Sequence, residues 1–161
     1  MSDRLHRFIA LSAALTGFDA IHLLGSGVAE EHLAVVDAIL PAAVVADLLA
    51  AFEGQMVGGD GQAAAAATLV ADPRLGPVVK NIIVLWYSGT WTQLPSAWRD
   101  AYGAAPLDTT RTTSGAAYRA GLQWLVAGAH APGAAHQGFG AWALEPKLPV
   151  SGMVEPKRRQ A

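Results

Sequence analysis

The side chains best suited to acid–base or metal chemistry in this sequence are five histidines: His6, His22, His32, His130 and His136. The last two stand six residues apart across Pro132 and Gly133, which is not the spacing that places two metal ligands on one helix face. Glu145 is the nearest carboxylate to follow them, so no metal site is predicted. A Ser-His-Asp set can be dispersed along a chain, but the sequence contains no nucleophile-elbow motif.

Nucleotide and iron–sulfur cofactors have no recognisable ligand set in the sequence. The glycines of GQMVGGDGQ, residues 54–62, do not match the dinucleotide fingerprint, and no predicted strand precedes them. There is no phosphate-binding GxxxxGK[ST] motif. The absence of cysteine excludes disulfides, thiolate zinc sites and cysteine-bound iron–sulfur clusters from this chain. The residues alone therefore predict a helical partner subunit with no catalytic, cofactor-binding or metal-binding residues of its own.

Composition points to one globular domain and argues against nucleic acid and a membrane span. The 161 residues fit a single domain, and a net charge of -2 gives no reason to expect nucleic acid as a partner. Mean hydropathy is +0.29, which is high for a chain with only 15% charged residues. Abundant alanine explains that value, and so does an apolar surface covered by a partner. No apolar run reaches the roughly 18 residues of a bilayer span, so no transmembrane segment is predicted.

The element expected to position everything else is the stretch LGPVVKNIIVLWYSGTW, residues 75–91. Its apolar residues recur at helical spacing, Asp72 and Pro73 precede it, and Gly89 lies near its end. Because the segment is apolar almost all round, it is buried on most sides. It therefore runs through the centre of a helical bundle, or a partner covers part of it.

The remaining pattern predicts an all-α fold. Further helices are expected at residues 8–15, 20–24, 29–40, 42–52, 63–71, 95–102 and 115–126, with a flexible loop at 54–62 and a brief extended piece at 109–113. Arg4, His6 and Arg7 before an apolar stretch resemble a signal peptide. Since the stretch runs straight into more periodic sequence, it is interpreted as the first helix of the fold. The prediction is a single compact bundle over residues 1–128, followed by an irregular C-terminal arm, 129–161, that packs on a partner subunit.

Aromatic residues are concentrated in the second half of the chain. All five tryptophans and all three tyrosines lie between positions 86 and 142. Tryptophan and tyrosine are enriched at interface anchors, although they also suit the core of this half. The residues proposed for a partner interface are Trp86, Tyr87, Trp91, His130, Phe139 and Trp142.

Several stretches together resemble one protein family. They are Phe18-Asp19 after LSAALTG, GSGVAEEHL, NIIVLWYSGTWTQLP with Trp98 and Tyr102-Gly103 behind it, AAYRAGLQW, and GAHAPGAAHQGFGAWA. The family is the small (gamma) subunit of the bacterial membrane-associated, FAD-dependent sugar and polyol dehydrogenases, of the glucose, sorbitol and fructose dehydrogenase type. The resemblance covers nearly the whole chain.

The resemblance implies partners that carry the chemistry. In that family a large subunit holds FAD and an iron–sulfur cluster and oxidises the sugar, and a multihaem cytochrome c subunit passes electrons toward quinone. The small subunit assists folding and carries a twin-arginine export signal, which implies a periplasmic location peripheral to the inner membrane. Here the only arginine pair, Arg158-Arg159, lies at the other end of the chain. A stand-alone helical enzyme and an autonomous helical scaffold with an unrelated partner remain the alternatives.

Overall fold

The computed structural model describes residues 2–58 and 61–131, and this part of the chain is mostly helical, as predicted. The elements in chain order are α1 (Asp3–Thr16), α2 (Ala20–Gly25), α3 (Ala29–Ile39), α4 (Ala42–Val57), α5 (Gln62–Ala71), α6 (Gly76–Ser88), β1 (Thr90–Trp91), α7 (Ser96–Tyr102), β2 (Arg111–Thr112), α8 (Gly115–Ala120) and α9 (Leu122–Val126). The predicted C-terminal arm lies outside the described residues from position 132 onward.

Helix α6 occupies the centre of the bundle. The Asp72 carboxylate accepts hydrogen bonds from the backbone amides of Arg74 and Leu75, at 2.8 and 2.6 Å, and so organises the turn before the helix. Gly89, in the left-handed conformation with φ of 69°, ends it. Helices α1, α3, α5, α8 and α9 all contact α6. The sequence left open whether α6 is buried by its own bundle or by a partner. In the structure, the chain's own helices bury it.

Helix α1 supplies the other large share of the core. The Ser2 hydroxyl accepts a hydrogen bond from the Leu5 amide and caps the helix, and Gly17 closes it in the left-handed conformation. Leu5, Phe8, Ile9 and Leu11 are buried along one side. The apolar stretch near the N-terminus is therefore the first helix of the fold, as predicted.

Three predicted boundaries are wrong. Helix α1 begins at Asp3, before the predicted start at residue 8, and the other two boundaries involve glycine. Helix α4 continues to Val57, so the first four residues of the predicted 54–62 loop are helical. A glycine inside a helix costs only about 1 kcal/mol, which the packed face of α4 offsets. The predicted helix 115–126 is broken at Gly121, which has φ of -54° and ψ of 127°. A Cβ there would lie 2.7 Å from the carbonyl oxygen of Tyr87, so the break allows close contact with α6.

A buried carboxylate holds the segment between β1 and β2. The strands pair antiparallel, with Trp91 opposite Arg111. The indole N–H of Trp91 donates to Asp108 Oδ1 at 2.8 Å, and the Leu94 amide donates to the same carboxylate at 3.2 Å. Arg99 Nε lies 3.7 Å from Asp108 Oδ2. Asp108 is only 3% exposed. If its carboxylate were removed, water could not reach these N–H donors to accept their hydrogen bonds.

Replacing Asp108 should therefore destabilise the fold strongly. In Asp108→Ala, two buried N–H donors lose their acceptor, and the free energy of unfolding should fall by about 2–4 kcal/mol. Urea unfolding followed by circular dichroism measures it. The matched control is Asp47→Ala, which removes a surface ion pair to Arg74 from a carboxylate that is 53% exposed; its loss should stay under about 1 kcal/mol. Equal losses in the two variants would contradict this role of Asp108.

A second stability prediction concerns the end of α6. A Cβ at Gly89 would lie 2.5 Å from backbone atoms of Ala117 and Tyr118, and its φ is positive. Gly89→Ala should cost about 2–5 kcal/mol of unfolding free energy, from left-handed strain and overpacking together. Gly54→Ala, in a helix with nothing within 4 Å of the new Cβ, should instead stabilise the protein by about 0.5–1 kcal/mol. Thermal unfolding of both variants measures these changes, and a Gly89→Ala protein as stable as the original would contradict the prediction.

Candidate functional site

Two of the stretches singled out in the sequence contact each other through their backbones. Gly89, from LWYSGTW, lies against the Ala117–Tyr118 peptide of AAYRAGLQW. Gly121, from AAYRAGLQW, lies in turn against the carbonyl of Tyr87. Both contacts need a residue without a side chain. The end of α6 and the α8–α9 pair are therefore one packed unit.

The stretch near Phe18 attaches to the same unit. The Tyr87 hydroxyl donates a hydrogen bond to the carbonyl of Thr16 at 3.0 Å. The Phe18 ring meets the Tyr87 ring edge to face, with 6.3 Å between centroids, and packs on His22 at 5.1 Å. Tyr87 thus ties the α1–α2 connection to the end of the central helix.

Beside this packed unit lies an open cleft of about 750 Å³, here called the α2–α8 cleft. One wall is the turn between α2 and α3, the opposite wall is α8 with α9, and the described chain ends along its edge. The lining residues are His22, Gly25, Ser26, Gly27, Val28, Ala116, Arg119, Ala120, Gly121, Trp124, Leu125, Ala129, His130 and Ala131. Apart from His22 and Leu125, they come from GSGVAEEHL, AAYRAGLQW and the start of GAHAPGAAHQ, which are far apart in sequence.

The polar lining of the cleft is basic. Among the described residues, Arg119, His22 and His130 are its titratable side chains, and no carboxylate of residues 2–58 or 61–131 lines it. Arg119 is exposed and forms no ion pair within residues 2–58 and 61–131, whereas Arg4 and Arg7 are each paired with a carboxylate. A cation without a partner beside apolar surface suits binding of an acidic group.

The aromatic wall of the cleft is held in place. The indole N–H of Trp124 donates to the carbonyl of Tyr118 at 2.8 Å. The two rings meet edge to face, with centroids 5.4 Å apart. With its N–H already bonded, Trp124 contributes ring surface to the cleft, next to the half-buried Leu125.

The residues proposed from the sequence for a partner interface do not form one surface in the structure. Trp86 and Trp91 are 1% and 0% exposed, so they are core residues of this chain. Tyr87 is half-buried behind the cleft, and His130 is exposed at its edge. Phe139 and Trp142 lie outside the described residues. The structure brings Tyr87 and His130 toward one site and places the two tryptophans elsewhere.

Sequence reasoning missed the residues that give the cleft its character. Arg119 and Trp124 were within a quoted stretch, AAYRAGLQW, but neither was proposed as a functional residue. The sequence predicts Gly25, Ser26 and Gly27 as the end of a helix and as part of GSGVAEEHL, and it assigns them no binding role. The signal available was that each of these lay in a stretch carrying the resemblance.

A buried histidine lies in the core beside Trp86. The His32 ring meets the Trp86 ring edge to face at 4.6 Å between centroids. Among the described residues, His32 Nδ1, Trp86 Nε1 and Ser12 Oγ are buried without a hydrogen-bond partner. Burial lowers the pKa of His32 from 6.5 to about 4. His32 is therefore neutral at physiological pH, and its protonation opposes folding.

The stability of the protein should fall with acid because of His32. Below pH 6.5 the unfolded chain takes up a proton at this residue, while the folded chain does so only near pH 4. The depressed pKa therefore removes roughly 3 kcal/mol of unfolding free energy as pH falls across that window. Urea unfolding at pH 7 and pH 4.5 should show a smaller pH effect in His32→Leu than in the original protein. The exposed His6, changed to Gln, is the control; an unchanged pH effect in His32→Leu would refute the assignment.

Within the described residues, no three His, Asp or Glu side chains are grouped so as to hold a metal ion. None of the helices in this part of the chain combines the length and apolar character needed to cross a membrane. Compared with known proteins, the chain matches no protein-family model, no curated protein and no solved structure.

Proposed function

We propose that this chain is the non-catalytic small subunit of a FAD-dependent sugar or polyol dehydrogenase complex. The observation that carries the proposal is the convergence of separate stretches on one cleft. The stretches that carry the family resemblance include residues 11–19, 25–33, 116–124 and 128–143, and residues from each line the cleft or pack against its wall. These stretches are far apart in sequence but share one surface. A binding site of this subunit would require such an arrangement.

In this proposal the chemistry belongs to the partners. The large subunit holds FAD and an iron–sulfur cluster and oxidises the substrate, and a multihaem cytochrome c subunit accepts the electrons. This chain assists the folding, export and stability of the large subunit in the periplasm, at the inner membrane. The packed and hydrogen-bonded core supports such a role, since a rigid surface loses little conformational entropy on binding.

Co-expression tests the proposal. The chain is produced alone and together with a large flavoprotein encoded beside it, and each preparation is assayed for flavin absorbance and for dye reduction with sorbitol, glucose and fructose. We expect co-purification, with activity only where the flavoprotein is present. Turnover by the lone chain would favour a stand-alone enzyme. A stable lone chain that binds no flavoprotein would favour an autonomous scaffold.

Truncation tests the part proposed for the C-terminal residues. Removal of residues 132–161 should retain the helical circular dichroism signal, because the core described above lies within residues 2–131. The same truncation should abolish a stable complex with the flavoprotein, since Phe139 and Trp142 are lost. A buried aromatic anchor contributes on the order of 2 kcal/mol or more to association, so Trp142→Ala should weaken the complex about thirtyfold. Full recovery of active flavoprotein with the truncated chain would contradict this role.

A further inference from the structure

We infer that the α2–α8 cleft binds an acidic peptide segment of the large subunit, with a carboxylate paired to Arg119 and an adjacent apolar side chain against Trp124 and Leu125. This inference rests on the proposed function. It adds which part of the subunit is contacted and which chemical groups of the partner the cleft binds. The site is distinct from the C-terminal residues considered above.

The charge of the cleft selects an acidic occupant. The chain as a whole carries a net charge of -2, yet the described residues lining the cleft include the cation of Arg119, two histidines (His22 and His130) and no carboxylate. Arginine offers a planar pair of N–H donors that matches a carboxylate, and the Arg119 guanidinium has no such partner in the described part of the chain. An acidic side chain entering the cleft would meet an available cation and no like charge.

The shape of the cleft favours a peptide segment over a free small molecule. Small-molecule sites enclose most of their ligand's surface. Here Gly25, Gly27, Ala116, Arg119 and His130 are all exposed, so the cleft covers one side of an occupant only. A peptide segment is positioned by the rest of its own protein, so the cleft can bind it without enclosing it.

The chain's own C-terminal residues are a poorer match. Residues 132–161 contain Lys147, Lys157, Arg158 and Arg159 against Glu145 and Glu155, so this segment has an excess of positive charge. It begins directly after Ala131, at the edge of the cleft. A segment with an excess of positive charge is not the acidic occupant that the charge of the cleft favours.

The test measures the affinity of the full chain for the co-expressed flavoprotein by surface plasmon resonance at low and high salt. Arg119→Glu should raise the Kd about tenfold or more, chiefly through faster dissociation, and should weaken the salt dependence of binding. Ala116→Glu, at a second exposed position on the cleft wall, should act in the same direction. Lys80→Glu makes the same charge change at an exposed position of α6 outside the cleft, and it should leave the Kd within about twofold. Circular dichroism verifies that each variant is folded.

The outcomes separate this inference from the proposed function. If the original chain binds the flavoprotein and Arg119→Glu binds equally well, or Lys80→Glu weakens binding as much, the inference is overturned and the proposed function stands. If the original chain binds no flavoprotein, both are overturned. A dimer of the original chain that Arg119→Glu dissociates would assign the cleft to a second copy, and that result overturns the inference.

Discussion

The close backbone approach at Gly89 and Gly121 is the constraint on which the second half of this protein depends. At Gly89 the central helix ends in a left-handed turn, and the carbonyl of that glycine accepts a hydrogen bond from the Thr113 amide at 2.9 Å. At Gly121 the helical chain breaks and lies on the carbonyl of Tyr87. A side chain at either position would separate α6 from α8 and α9, and the wall of the cleft would move with them.

Hydrogen bonds between buried polar groups restrict this arrangement to one packing. Asp108 accepts hydrogen bonds from the Trp91 indole and the Leu94 amide, so the segment between the short strands has one low-energy position. Trp98 is fastened in the same way, through an indole hydrogen bond to the Arg74 carbonyl at 2.6 Å. Such bonds add little net stability while they are formed, but a buried donor left without its acceptor is costly. They therefore exclude alternative packings more than they strengthen the observed one.

Aromatic side chains serve two purposes here, and sequence could not separate them. Trp86 and Trp91 fill the core, while Trp124 presents its ring to the cleft. All three are large apolar groups with one N–H to satisfy, so core and interface positions favour the same residue type. What distinguishes them is whether other elements of the chain cover the ring, which depends on packing between helices.

The sequence by itself determined the helical fold and most helix ends, because apolar periodicity, capping residues and glycine punctuation act within a few residues. It predicted α1 and the buried stripe of α4 for the same reason. It left open whether the chain's own bundle or a partner covers α6, and contacts with five other helices decided that. Only the tertiary structure decided that α8 and α9 are two helices, that Asp108 is a buried clamp, and that Arg119 faces a cleft shared with residues 25–28. Each of these depends on contact between residues distant along the chain, and no local pattern contains that information.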